Sequence, residues 1–259
     1  MRPAAPTRDF FRFRPLASAC ALGTLTACAS FGGGNGANGD INGGNGAYRL
    51  TGVPAPLAPR ASALLPRDEP AARSVLELRN RAQTATRTVE EYLASEGYLA
   101  AEAEAEDITS LDARPLLTVT PGPLFRIRSV EIGGIPEVDA ETRGLLEVEA
   151  AKLPPGSAAR TSDIERIESD MVGILLSRGY AFASSPGIDA LASRTDADVE
   201  ITFMLSPGPQ VRLGDLDAVG PDARGQRTVS ILRTWQPGEL YNPRTIDRLR
   251  SRLRSTGLY

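Results

Sequence analysis

The chain repeats itself, and the repeat limits what it can fold into. Ser95-Glu96-Gly97-Tyr98 recurs as Ser177-Arg178-Gly179-Tyr180 and, loosened, as Ser255-Thr256-Gly257-Leu258-Tyr259. Gly97 to Gly179 is 82 residues and Gly179 to Gly257 is 78. A second marker keeps the same period: Pro121-Gly122-Pro123-Leu124-Phe125-Arg126-Ile127 matches Pro207-Gly208-Pro209-Gln210-Val211-Arg212-Leu213. Two independent markers with one spacing of about eighty residues indicate successive copies of one small unit.

Each Ser-x-Gly element closes an amphipathic helix. Val75, Leu78, Ala82, Ala85, Val89, Tyr92 and Leu93 recur at helical spacing in the first copy. In the second, Ser162 and Glu165 fit a capping box ahead of Ile164, Ile167, Met171, Ile174 and Leu175. In the third, Asn242 is the expected cap and Pro243 the first helical residue, ahead of Ile246, Leu249 and Leu253. Gly97, Gly179 and Gly257 suit the left-handed position that ends a helix. After each glycine the pattern alternates. Residues 98–106 place Ala101, Ala103 and Ala105 on one face and Glu102, Glu104 and Glu106 on the other. Strands are also expected at 116–119, 180–184, 199–205, 127–132 and 211–219, with a first strand at 48–53. Shorter partner helices are expected at 140–148 and 224–232. The fold class is therefore α+β: tandem β-α-α-β-β units, each laying a helix pair on a small three-stranded sheet. The expected spans are 48–124, 125–208 and 209–259. The last ends before two of its strands and reads as truncated.

Composition removes several functions. There is no His, which takes away the commonest general base and metal ligand. Lys plus Arg number 29 against 32 acids, a net charge of −3, so the chain lacks the basic surplus of a nucleic-acid binder. No catalytic, cofactor-binding or metal-binding residue is assigned, and no cofactor is expected. Glu102, Glu104 and Glu106 have no second ligand set for a cation. Trp235 reads as a residue packing at a core edge rather than a partner anchor. Arg248, Arg250, Arg252 and Arg254 spread around a helix as a solvated face.

The two cysteines, Cys20 and Cys28, lie near the N-terminus. Arg2, Arg8, Arg12 and Arg14 precede a short apolar stretch at 16–27, the order of an export signal. Leu25-Thr26-Ala27-Cys28 fits a lipobox, with Cys28 as the lipidation candidate; Ala27-Cys28-Ala29 fits cleavage after Ala29. Both remain open, giving a leader of 1–29 or one ending at 27. Residues 30–47 read as a disordered Gly/Asn-rich linker.

The β-α-α-β-β order, with a helix closing on Gly-Tyr before a strand, resembles the POTRA (polypeptide-transport-associated) domain. Val119-Thr120-Pro121-Gly122-Pro123 is similar to the TamA branch of the BamA/TamA outer-membrane assembly superfamily. So is Trp235-Gln236-Pro237-Gly238-Glu239-Leu240-Tyr241 leading into the helix that ends near Gly257. The resemblance covers about 48–259. It implies a non-enzymatic periplasmic region at the outer membrane of a Gram-negative bacterium, carried by a barrel that is missing here. It further implies unfolded outer-membrane proteins or autotransporters as clients, a TamB-like inner-membrane-anchored partner, and no nucleic acid.

A small sheet covered on one face leaves strand edges to which an extended client can add. The candidate edge residues are Leu99, Ala101, Ala103, Ala105, Phe182 and Ser184. The alternatives are a secretion-pore component with the same domains and a free periplasmic lipoprotein scaffold.

Overall fold

The computed structural model describes residues 10–13, 43–44, 47–67, 69–216 and 231–256. Two β-α-α-β-β units follow one another. The first contains β3 (Arg49–Thr51), α1 (Ala58–Leu64), α2 (Val75–Ser95), β4 (Glu102–Ala105) and β5 (Leu116–Thr120). The second contains β6 (Arg126–Gly133), α3 (Ala140–Ala150), α4 (Thr161–Ser177), β7 (Ser184–Ser193) and β8 (Asp198–Ser206). A third begins as a short extended segment around Arg212 and continues in α5 (Pro243–Ser255).

In each unit the first strand runs parallel to the last, because the helix pair carries the chain back across the sheet. The last strand is central, and the middle strand lies antiparallel beside it. The central strands alternate as expected for sheets covered on one face: Leu117 and Val119 in β5, and Val199, Ile201, Phe203 and Leu205 in β8, are buried. Ala82, Ala85, Val89, Tyr92 and Leu93 of α2 meet the first set, and Ile164, Ile167, Met171 and Leu175 of α4 meet the second. Two separate cores result, one between Tyr48 and Val119 and one between Phe125 and Leu205.

Each sheet has four strands rather than the three expected. β2 (Gly43–Gly44) pairs with β3, and β1 (Phe10–Phe13) pairs with β7. These short segments fall within stretches read as linker and leader. Main-chain pairing at an open edge needs no particular side chains, so hydrophobic patterning gives no sign of it.

Several local expectations change. Ser162 does not cap α4; the N-cap is Arg160, without a side-chain bond. The Arg126–Ala158 bridge keeps the chain extended up to that point, so the helix starts at Thr161. Asn242 does cap α5, accepting from Arg244 N at 3.0 Å. Residues 99–100 and 181–182 form turns rather than strands, so β4 and β7 begin later than expected. β7 then continues to Ser193, through a bulge between Ser184 and Gly187 that accommodates Pro186. Helix α1 had no expectation: seven residues flanked by Pro54, Pro56 and Pro66 show too little periodicity. The expected helix at 224–232 lies outside the described residues except for its last two, as do residues 217–219 of the expected strand.

The units are joined in a repeated way. Phe125 N–H donates to Gly97 O at 2.9 Å, and Val211 N–H to Gly179 O at 2.7 Å. Within the second and third units the same pattern repeats: Ile127 N–H donates to Ser157 O at 2.8 Å, and Leu213 N–H to Glu239 O at 2.7 Å. The Arg126 guanidinium reaches Gly156 O and that of Arg212 reaches Gly238 O, each at 2.7 Å. Gly97 and Gly179 sit at φ 99° and 96° one residue beyond the C-caps Glu96 and Arg178, the left-handed position that ends a helix.

Candidate functional site

The strand order of the first sheet leaves β4 at its border. Glu106 N–H donates inward to Leu116 O at 2.9 Å. By the two-residue alternation of an antiparallel ladder, the main-chain groups of Ala103 and Ala105 point away from β5. The side chains divide as the pattern indicates: Ala103 and Ala105 pack on the first core, while Glu102 and Glu104 are exposed. Glu106 pairs with Arg49 at 3.5 Å.

One outward donor is already used. Glu90, on α2, accepts from Ala103 N–H at 2.7 Å. A groove of about 460 Å³ runs between α2 and this border, and Arg79 closes its end through Ile108 O at 2.9 Å and Asp107 at 3.0 Å. Nothing in a one-dimensional pattern marks Glu90, because its partner is a backbone group 13 residues away.

The six candidate residues are not brought together. Ala103 and Ala105 lie on β4, and Ala101 just before it. Leu99 is not an edge residue; it sits in the turn after Gly97 and packs against the core of the second unit. Phe182 lies in the turn before β7, 70% exposed, and Ser184 is the first residue of β7, opposite Ser206.

In the second sheet β7 lies between β8 and the short β1, which covers only the last four residues of β7. Near its start, Ser185 bonds the Glu168 carboxylate and donates to Met204 O at 3.0 Å, while Gly187 N–H donates back to Ser185 Oγ at 3.2 Å. Burial, followed by the charge of Glu168, pushes the neighbouring Glu165 carboxyl up. Towards its end, β7 carries β1 antiparallel, with Phe10 opposite Ser193 and Phe13 opposite Ala190.

The Gly-Tyr motif also organises the helices. The Tyr180 hydroxyl donates to Asp139 Oδ2 at 3.2 Å, and Asp139 caps α3 through Thr142 N–H at 2.9 Å. That backbone bond, then the Thr142 hydroxyl, holds the Asp139 carboxyl below its usual range. Trp235 is buried, and its ring N–H donates to Gly214 O at 2.8 Å within the third unit. Arg248, Arg250, Arg252 and Arg254 are exposed on α5. Cys28 lies outside the described residues. Among the described residues, no helix is long and apolar enough to cross a membrane.

The class defined by this architecture is a chain of β-α-α-β-β modules, established by its own strand register and helix packing. No protein-family description and no curated protein matches the sequence. Among solved structures, the chain is similar to POTRA3-5 of BamA from Haemophilus influenzae, with 21% identity and a TM-score of 0.44 over 69% of this chain and 70% of that one. The N-terminal domain of Omp85 from Thermosynechococcus elongatus shows 18% identity and a TM-score of 0.38 over 81% and 84%. POTRA1-3 of Omp85 from Anabaena shows 15% and 0.40 over 85% of each chain.

Proposed function

We propose that this chain is the periplasmic POTRA-type region of an outer-membrane protein assembly factor of the TamA type. It is read as a non-enzymatic receptor for extended segments of unfolded outer-membrane proteins or autotransporters. Units at 48–124, 125–208 and 209–259 form an arm held at the outer membrane by a barrel, with a TamB-like partner on the inner-membrane side. The observation that carries the reading is the β4 border of the first sheet together with the start of β7, which extends beyond the four residues that β1 covers, each beside a helix and a groove. A strand added at such a border gains main-chain hydrogen bonds whatever its sequence, which suits a receptor for many clients.

The test is site-specific photocrosslinking to a dye-labelled ten-residue peptide of alternating Val and Thr. Probes stand at Ala105 on the β4 border, at Ser184 at the start of β7, and at exposed Val148 as control. Crosslinks at the border positions and none at Val148 support the reading. Equal labelling at all three, or none, sinks it.

A further inference from the structure

The second sheet is completed by a strand from far away in the sequence. β1 (Phe10–Phe13) precedes the whole first unit, yet pairs with the last four residues of β7 in the second: Phe10 with Ser193, Phe11 with Ala192, Arg12 with Leu191 and Phe13 with Ala190. Without β1, β7 would be the border of that sheet. The contact is antiparallel and main-chain based, the bonding mode that an incoming extended segment would use. We propose that residues 10–13 are a built-in occupant of the β7 border, withholding it from other strands until the N-terminal segment is displaced or removed. The proposal rests on the reading of these borders as strand receptors and gives that site its regulation.

The physical case is one of tethering and size. Residues 14–42 separate β1 from the next described segment, and a chain of 29 residues spans at most ~100 Å. A tethered segment competes at an effective concentration of roughly millimolar. A free peptide at micromolar concentration therefore loses to it unless it binds far more tightly. Four residue pairs make a short strand, below the usual five or six, so the occupant is one that can be exchanged. The occupied stretch, 190–193, lies beyond the Ser185–Glu168 contact that ties down the start of β7. The ligand it fits is an extended peptide running antiparallel to β7. On the cleavage readings, the uncut chain has this border covered and the exported chain has it open.

The experiment compares the full chain with the full-length double variant Phe11→Pro/Arg12→Pro. Adjacent residues of a strand face opposite ways, so one of the two prolines removes a donor to β7. The readouts are amide exchange over Ala190–Ser193 and affinity for the Val/Thr peptide, with Phe11→Pro and Arg12→Pro made singly as further variants should the double variant misfold. The expected result is faster exchange at the alternate amides of that stretch, those that face β1, and at least about tenfold tighter peptide binding. Unchanged exchange, or equal affinity in the two chains, overturns the masking role and leaves the receptor reading standing. Faster exchange with no binding by either chain overturns both.

Discussion

At the residue scale, the tightest demands fall on two glycines that no motif had marked. Gly52 and Gly134 follow the first strands of their units at φ 81° and 80°. A Cβ on either would stand 2.0 Å from a carbonyl of the central strand, Val119 O or Leu205 O. Gly134→Ala combines a left-handed backbone with a clash against main chain, so it should lower stability by about 2–3 kcal/mol. Urea unfolding checks this; a change under ~0.5 kcal/mol would mean the sheet can move aside at little cost. Tyr48 makes a pH-dependent case. Burial first, then Glu69 (the hydroxyl donates to Glu69 Oε2 at 3.1 Å), pushes its phenol up to about 12 from 10.0. The unfolded chain therefore gives up this proton first as pH rises. The contribution is fully present below pH 10 and disappears between 10 and 12. Tyr48→Phe should narrow the stability difference between pH 9 and 12, as followed by denaturant midpoints across that range.

At the element scale, two carboxylates decide how a helix and a strand end. Asp139 caps α3 and receives the Tyr180 hydroxyl from the end of α4, tying the helix pair together. Asp139→Ala should cost about 1 kcal/mol. Its carboxyl is held low, so the cap acts above the ordinary carboxylate pKa and is lost as pH falls through the lower folded value. The cost of the substitution should accordingly vanish in acid, which thermal melts at neutral and acid pH would show. Glu90 acts on β4. Glu90→Ala frees Ala103 N–H, so that amide should exchange faster while the amides of β5 keep their protection. If the Ala103 amide exchanges unchanged, Glu90 is not what covers that part of the border.

At the scale of the whole molecule, the units are locked at repeated joints rather than strung on flexible links. The paired bonds from Phe125 to Gly97 and from Val211 to Gly179 recur with matching geometry. Asn242, besides capping α5, donates its amide to Ser177 O at 3.4 Å, and Gln210 donates to Arg178 O at 3.0 Å. Leu99 belongs to the first unit by sequence but packs on the second core beside Ala100. Leu99→Ala should therefore loosen the second unit by about 1–2 kcal/mol. Amide exchange would show it in α4 and β8 rather than in α2. The opposite distribution would place the coupling elsewhere.

The repeat, the helix stripes, the central strands and the glycine caps could be read from the chain because each depends on periodicity or on a residue with special backbone freedom. Gly52-Val53-Pro54 and Gly134-Ile135-Pro136 carried one more marker of the same period, visible in the sequence but unread. The α+β class followed from these local signals, and strand register and packing bear it out. The borders were decided only in three dimensions. Where β4 begins depends on a turn that sends Leu99 into the neighbouring core, and its cover depends on Glu90 reaching across from α2. The cover of β7 depends on a strand more than 170 residues away in sequence, from Phe10 to Ser193. Local patterning reports which face of an element is apolar. Main-chain pairing between distant segments leaves no trace in composition or period, because the groups that form it are the same in every residue.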